Sequence, residues 1–221
     1  MLFETLTEIV DPEPHGAALN MAIDEVLLRE ARAPLLRVYR WDRPAVSFGY
    51  FGKFAEVERV WPGRDFVRRW TGGGIVPHGD DLTYTLVVPA DHAFARLTAR
   101  ESYRCIHECV AAALREGGFA ATVVARGAQA KVSDACFENA VAFDVLAAKG
   151  KIAGAAQRRT KWGLLHQGSI QVAGLDAEFA RQLSTKVAPK ISRREITPDQ
   201  LAAAQELAVQ KYAAKSWLER F

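Results

Sequence analysis

Residues 68–89 read RRWTGGGIVPHGDDLTYTLVVP, and this stretch constrains the fold more than any other part of the sequence. Its three consecutive glycines, Gly72–Gly74, lie between two strand-like runs, DFVRRW at 65–70 and LTYTLVVP at 82–89. A glycine in regular structure costs roughly 0.5–1 kcal/mol relative to alanine, so three in succession need a compensating role. Without side chains they can approach a ligand and present backbone N–H groups, but a hairpin or bulge turn explains glycines alone equally well.

Charged residues flank the glycines on both sides. Arg68 and Arg69 end the first strand-like run, where alternation sends their side chains to opposite faces, so one is expected to face a site and the other solvent. His78 follows the glycines, and an imidazole there can act as a base near neutral pH or have a structural role. Neither the Gly-Lys-Ser/Thr of a phosphate-binding loop nor the spacing of a dinucleotide fingerprint is present.

Elsewhere the sequence alternates between helical and strand-like patterns. Amphipathic helices are predicted at 16–33 and 101–117, and residues 190–221 are predicted as a helical C-terminal extension. Within that extension Thr197, Pro198 and Gln200 fit an N-cap and first-turn set. Further strand-like runs fall at 34–41, 44–51, 119–125, 140–148, 151–159 and 164–172. Helices interspersed with neighbouring strands favour an α+β fold on a mixed sheet.

The composition bounds the possible partners. The 221 residues are 49% hydrophobic and 25% charged, as in globular proteins, and no run approaches the roughly 18 apolar residues of a membrane span. A net charge of +3 without basic residues interleaved with aromatics does not indicate nucleic-acid binding. The N-terminal residues lack the basic-then-apolar pattern of a signal peptide, so we expect a cytoplasmic protein with no membrane or nucleic-acid partner.

The three cysteines are expected to be reduced thiols with different roles. Cys105 and Cys109 lie four residues apart on a predicted helix and are interpreted as small packing residues. A metal site from this pair and His107 fails because that histidine points to another side of the helix, so no metal is predicted. Cys136, in contrast, lies in an irregular polar stretch. Lys151 begins a strand-like run rich in small residues, which suits either a fixed charge in a pocket or a solvated turn.

Two motifs together carry a family resemblance. RRWTGGGIVPH with LTYTLVVP, followed by GKIAGAAQRR and LLHQGSI, resembles the catalytic domain shared by lipoate–protein ligases, octanoyltransferases and biotin–protein ligases. NMAIDEVLL at 20–28 and ACFENAVAFDVLAAKGK at 135–151 extend the resemblance to about residues 15–172. It implies that 1–221 form a single α+β domain with a mixed, largely antiparallel sheet flanked by helices.

The resemblance also assigns a pocket. The segment from Arg69 to Gly74 would line a tunnel for an acyl chain and its activated head group. Lys151 matches the lysine that contacts the acyl carbonyl or acyl-adenylate in this family. The positions that match the family's substrate pocket are Arg69, Gly72, Gly73, Gly74, His78, Tyr84, Gly154, Gln157, His166, Gly168 and Ser169.

Within the family, the sequence is most similar to cysteine-type octanoyltransferases. Cys136 precedes Lys151 with the spacing of that group, whose cysteine takes octanoyl from octanoyl–acyl carrier protein as a thioester and needs no cofactor. A nearby ammonium would lower the thiol pKa and stabilise the oxyanion. The acceptor would be a lysine of a lipoyl-domain protein, either the glycine-cleavage H protein or a 2-oxoacid dehydrogenase subunit, with His78 a candidate base for its amine.

Two alternatives stay open at this level. An ATP- and Mg-dependent lipoate–protein ligase, acting through lipoyl-AMP, is favoured by the third glycine, Gly74, and by the His-Gln order in LLHQGS. The short stretch after residue 172 favours the transferase, since bacterial ligases usually carry an additional C-terminal domain. A non-catalytic acyl- or cofactor-binding homologue is the second alternative. A biotin ligase is disfavoured because nothing resembles its DNA-binding or C-terminal barrel modules.

Overall fold

The computed structural model describes residues 1–125, 141–148 and 150–221. Its strands are distributed along most of the described sequence. The strands are β1 (Thr5–Val10), β2 (Leu35–Tyr39), β3 (Ala45–Phe48), β4 (Asp65–Arg68), β5 (Ile75–His78), β6 (Leu82–Pro89), β7 (Thr122–Val123), β8 (Val145–Ala147), β9 (Gly150–Thr160), β10 (Gly163–Ile170) and β11 (Lys190–Glu195). The helices are α1 (Ala17–Glu30), α2 (Phe54–Val60), α3 (Ala99–Glu116), α4 (Ala177–Val187), α5 (Pro198–Leu207) and α6 (Lys215–Leu218). A 3-10 turn (Ala93–Arg96) and a π-helical turn (Ala208–Tyr212) complete the described elements.

The described strands form two sheets. The larger has the order β11-β1-β2-β6-β10-β9-β8-β7, and the smaller has the order β4-β3-β5. Strand β1 pairs in parallel with β2 and β11, and β3 with β4, whereas the remaining neighbours are antiparallel. The prediction of a single α+β domain with a mixed, largely antiparallel sheet flanked by helices is therefore confirmed.

Alternation along the strands builds a core on each face of the larger sheet. In β2, Leu35 and Leu36 are both buried but belong to different hydrophobic clusters, as a side-chain period of two requires. The Leu36 face is covered by α3 and α4, and the Leu35 face by α1 and α5. Strands β6 and β10 in the middle of the sheet are consequently buried along their whole length, although both carry polar side chains as well as apolar ones.

The predicted C-terminal extension is wrong over its first residues. Residues 190–195 form the edge strand β11 rather than a helix, and this strand pairs with β1 along six residues. The sequence KISRRE lacks a clear alternation because an edge strand with exposed charged side chains needs little apolar character. The helix begins at Pro198, where the predicted capping box of Thr197 and Gln200 is confirmed.

Other differences concern short elements. The helices predicted at 16–33 and 101–117 are confirmed, with ends shifted by up to three residues. The run predicted at 119–125 contains the short strand β7, and the described part of the run 140–148 contains the short strand β8. Strands β1 and β5 and helices α2 and α4 lacked a distinct signal. No helix in the described ranges has the length and apolar character needed to cross a bilayer.

A buried ion pair joins α1 to the sheet. The guanidinium of Arg37 donates to Asp24 at 2.8 Å, and neither side chain is accessible to solvent. Arg37 also donates to Asp11 at 2.8 Å and to the side-chain oxygen of Asn20 at 2.7 Å. The second carboxylate oxygen of Asp24 accepts hydrogen bonds from three side chains, which are Tyr39, Thr85 and Gln167. The pair is thereby fully hydrogen-bonded, as burial of charge demands.

Removal of the cation should destabilise the fold strongly. We expect Arg37→Met to lower the free energy of unfolding by about 3–5 kcal/mol, because the carboxylates of Asp24 and Asp11 stay buried without their cation. Urea denaturation followed by circular dichroism measures this change. The control is Arg43→Met, which removes a solvent-exposed pair with Asp42 and should have little effect. Equal effects of the two substitutions would contradict a central role for the buried pair.

Candidate active site

A cavity lies between the smaller sheet and the β9–β10 hairpin of the larger one. Its lining includes six of the predicted pocket residues, which are Arg69, Gly73, His78, Gly154, Gly168 and Ser169. The other lining residues are Met21, Tyr39, Trp41, Ser47, Val76, Thr83, Ala155, Ala156 and Gln167. The structure thus brings the two sequence motifs, more than 70 positions apart, onto opposite walls of one cavity.

The glycine segment wraps around an arginine. The guanidinium of Arg69 donates to the carbonyls of Gly72 and Gly74, at 3.0 and 2.8 Å. Gly73 has a φ of +89°, and its carbonyl approaches Gly49 so closely that a β-carbon there would lie 2.0 Å away. A glycine is therefore required at position 73 by its positive φ and at position 49 by the close approach of this segment, whereas Gly72 and Gly74 contribute the carbonyls that accept from Arg69.

Both arginines of the motif are buried, so the expectation that one is solvated is wrong. Arg69 donates to the hydroxyl of Ser47 at 2.7 Å, on the cavity side. Arg68 points to the opposite side, where it donates to backbone carbonyls of the β3–α2 connection and of α6. Alternation along β4 was correctly anticipated, but the C-terminal segment covers the face that was expected to meet water.

A hydrogen-bonded chain of three side chains lies in the cavity wall. The Ser47 hydroxyl lies 2.6 Å from Nε2 of His78, and Nδ1 of His78 lies 2.8 Å from a carboxylate oxygen of Asp81. The indole of Trp41 stacks on the imidazole at a centroid distance of 3.9 Å. Burial lowers the pKa of His78 despite the opposing attraction of Asp81. The ring is therefore neutral at pH 7, with Nδ1–H donating to Asp81 and Nε2 accepting from Ser47.

Lys151 is a buried cation rather than a solvated turn residue. Its ammonium lies 2.9 Å from a carboxylate oxygen of Asp144, and the two side chains are 2% and 0% exposed. Tyr103 donates to the other oxygen of Asp144 at 2.6 Å and accepts from the backbone N–H of Ala155 at 3.0 Å. A β-carbon at Gly154 would lie 2.6 Å from the Lys151 ammonium. The lysine therefore packs directly against the cavity-lining part of β9.

Three further predicted pocket residues lie one layer behind the cavity. The phenol of Tyr84 lies 3.1 Å from Nε2 of His166, and the amide of Gln157 lies 2.9 Å from its Nδ1. Tyr84 packs so tightly against Gly168 that a β-carbon at that glycine would lie 2.3 Å from the phenol ring. These side chains support the wall formed by β10 instead of lining the cavity.

Two of the three cysteines, Cys105 and Cys109, lie within the described residues. Cys136 lies outside the described residues, so its role stays a prediction. Cys109 is buried and Cys105 half-buried on α3, and both pack against the core as expected. Within residues 1–125, 141–148 and 150–221, no group of three or more His, Cys, Asp or Glu side chains is arranged to hold a metal ion.

Several important residues of the site were not found from the sequence. Ser47 is a single hydroxyl in the apolar strand β3, and only the pairing of β3 with β5 brings it to His78. Asp81 carried a usable signal, because a carboxylate three positions after a histidine can hold its ring. Asp144 lay in a run predicted as β-strand and gave no sign that it would pair with Lys151.

Comparison with known proteins identifies the family to which this fold and cavity belong. A family model described as the lipoyl protein ligase A/B catalytic domain matches residues 16–214. Similar proteins include an octanoyltransferase LipM of Kyrpidia tusciae, 39% identical over 177 residues covering 74% of this chain and 64% of that protein. An octanoyltransferase LipM of Oceanobacillus iheyensis is 33% identical over 168 residues, covering 72% and 62%. The chain thus spans less than two thirds of the length of these two relatives.

A solved structure supports the same fold. Lipoate-protein ligase A bound with ATP superimposes with a TM-score of 0.77 at 22% identity, covering 98% of this chain and 99% of that one. The chain belongs to the lipoyl protein ligase A/B catalytic domain family, as the sequence motifs indicated.

The pKa of His107 reflects how strongly the side chains near the site are buried. It is buried on α3, with Nδ1 lying 2.7 Å from the carbonyl of Phe143, which has an uncommon φ of +72°. Burial lowers the pKa of His107 to about 4, from an ordinary value of 6.5, although Asp144 attracts the charged form. The ring is therefore neutral in the folded protein over a range where the unfolded chain is protonated.

This histidine should make stability depend on pH. Below pH 6.5 the unfolded state binds the extra proton, so stability falls as the pH is lowered towards 4, by about 3 kcal/mol for this group. We expect His107→Gln to flatten the dependence by about that amount, measured by urea denaturation between pH 7 and 4. His92→Gln, at the half-exposed histidine that caps the 3-10 turn, is the matched control. An unchanged slope in His107→Gln would contradict a neutral buried ring.

Proposed function

We propose that this protein transfers an octanoyl group from octanoyl–acyl carrier protein to a specific lysine of a lipoyl-domain protein. The acyl group would pass through a thioester on Cys136. Support comes from membership of the family and from relatives named octanoyltransferase LipM. The observation that carries the proposal is the buried ammonium of Lys151, held by Asp144 directly against the cavity wall.

The chemistry of acyl transfer explains why a buried cation is useful. Attack on a thioester carbonyl gives a tetrahedral intermediate with negative charge on oxygen. A fixed ammonium in a site shielded from water stabilises that charge far more than it would in bulk solvent. Tyr103 fixes Asp144, and Asp144 holds the Lys151 ammonium in place beforehand, so little reorganisation is needed during the reaction. The same cation favours the thiolate form of a nearby thiol.

The cavity lining suits a saturated acyl chain. Met21, Val76, Ala155 and Ala156 provide apolar surface, and small residues along β9 leave room beside the backbone. Exchange of one thioester for another is close to thermoneutral, so the transferase requires no ATP, metal ion or other cofactor. The acceptor would be the glycine-cleavage H protein or a lipoyl domain of a 2-oxoacid dehydrogenase, and the reaction would take place in the cytoplasm.

Acyl loading tests the proposal directly. Incubation with octanoyl–acyl carrier protein in the absence of ATP should add one octanoyl mass to the protein, and peptide mapping should locate it on Cys136. Cys136→Ser should lose this thioester and the transfer of octanoyl to a lipoyl domain. Cys105→Ser is the matched control, because that thiol is half-buried on α3 and packs against the core. Intact-protein mass spectrometry measures both variants.

The two alternatives give different results in the same assay. An ATP-dependent ligase would show no octanoyl adduct but would catalyse lipoate-dependent exchange between pyrophosphate and ATP in the presence of Mg. A non-catalytic binding protein would show neither activity. Either outcome would replace the transferase.

The glycine beside Lys151 provides an independent test. Gly154→Ala should displace the ammonium from the cavity wall, because the new β-carbon would lie 2.4 Å from Cε of that lysine. We expect octanoyl transfer to fall by roughly 10²-fold or more, as when a preorganised charge is lost, while the protein still folds. Gly117→Ala, at the exposed end of α3 with ordinary contacts, is the control. Full activity in Gly154→Ala would argue against a role for the position of Lys151.

A further inference from the structure

Ser47, His78 and Asp81 form a chain of hydrogen bonds that ends at the cavity. We propose that this chain is a proton relay, in which Ser47 takes up the proton that the acceptor lysine releases when its amine attacks the thioester. The inference rests on the proposed acyl transfer and assigns the proton acceptor of its second step.

The geometry gives each member of the chain a defined direction. Asp81 accepts from Nδ1 of His78, and its carboxylate is held by the hydroxyl of Ser169 at 2.6 Å and by the backbone N–H of Gly79 at 3.0 Å. A carboxylate fixed in this way selects the tautomer with the proton on Nδ1. Nε2 of His78 is then the acceptor for the hydroxyl proton of Ser47, at 2.6 Å.

The Ser47 hydroxyl can both accept a proton and donate its own proton to His78. Its oxygen has two lone pairs, and one of them accepts from the Arg69 guanidinium at 2.7 Å. That cation stabilises the charge that develops on the oxygen as its own proton moves to His78. The second lone pair is the acceptor that we assign to the incoming amine, since Ser47 belongs to the cavity lining.

The imidazole is suited to receive the proton. Trp41 stacks on one face of it, and the charged groups that act on it are Asp81 and Arg69. The ring is neutral before the reaction, and Asp81 stabilises the imidazolium that forms. Arg69 opposes that charge, which favours rapid return of the proton once the step is complete.

The transfer step balances without any further reactant. The nitrogen of the neutral lysine amine attacks the thioester carbonyl and forms the C–N bond. Ser47 accepts one N–H proton and gives its own to Nε2 of His78, while the C–S bond breaks and its electron pair leaves with the sulfur. The proton then returns through Ser47 to the thiolate. In the loading step the attacking group is already a thiolate, so no proton has to be removed from it.

This difference between the two half-reactions distinguishes a relay from a structural role. If the three hydrogen-bonded side chains have only a structural role and support Arg69 and β5, substituting them should damage the cavity and slow both loading and transfer. A relay is required only when an amine attacks, so its loss should slow transfer selectively. The contrast can be read from single-turnover reactions in which the acyl-enzyme is formed first and then given the acceptor.

The test uses Ser47→Ala and Asp81→Asn, with His92→Gln as a control at a histidine remote from the cavity. Each protein is loaded with octanoyl–acyl carrier protein, and adduct formation is followed by intact mass. A lipoyl-domain protein is then added and loss of the adduct is timed. We expect loading within about threefold of the unmodified protein and transfer slowed by roughly 10²–10⁴-fold, the range of general base catalysis. Transfer by Ser47→Ala should also recover as the pH is raised, because hydroxide replaces the relay.

Two results would overturn the relay while leaving the acyl transfer intact. One is unchanged transfer in both variants, and the other is an equal loss of loading and transfer. Absence of loading in the unmodified protein would instead overturn the proposed function, and the relay with it. Ser47→Thr, which keeps a hydroxyl at the position, should restore transfer if it loads normally, and its failure to do so would also count against the relay.

Discussion

A guanidinium and a carboxylate that are both removed from water must satisfy each other, since each isolated charge would cost several kcal/mol to bury. Arg37 and Asp24 meet this requirement at the junction of α1 and β2, and the remaining oxygen of Asp24 continues the network into β6 and β10. Gln167, which donates to that oxygen, accepts in turn from Thr71 beside the glycine segment. A continuous series of hydrogen bonds thus connects the glycine segment to the buried ion pair and fixes the position of that segment relative to the core.

The cavity depends on this arrangement because its two walls come from different sheets. The smaller sheet supplies Ser47 and His78, whereas the larger sheet supplies Lys151 and Gly154. Burial favours the neutral imidazole of His78, and the ammonium of Lys151 lies against the carboxylate of Asp144. The hydroxyl of Ser47 and the imidazole of His78 therefore belong to the wall from the smaller sheet, and the ammonium of Lys151 lies behind the wall from the larger sheet.

Local patterns predicted much of the fold. The apolar stripe of α3, the capping box of α5 and the runs of β6 and β10 were readable because their signals lie within a few residues. Strand β11 was missed because its identity depends on β1, 185 positions away, and not on its own composition. The same holds for the site. The two motifs located the cavity walls, but Ser47, the partner of His78, and Asp144, the partner of Lys151, depend on strand pairing and burial, which a short stretch of sequence does not reveal.

Arg68 illustrates a kind of contact that sequence comparison is poorly equipped to detect. Its guanidinium bonds to the carbonyls of Tyr50, Gly52, Trp217 and Leu218, and so ties the strand before the glycine segment to α6, about 150 positions along the chain. A carbonyl is present whatever side chain its residue carries. Substitutions at these four positions need no compensating change at the arginine, so covariation between homologous sequences would leave little trace of a bond that holds one end of the molecule beside its cavity.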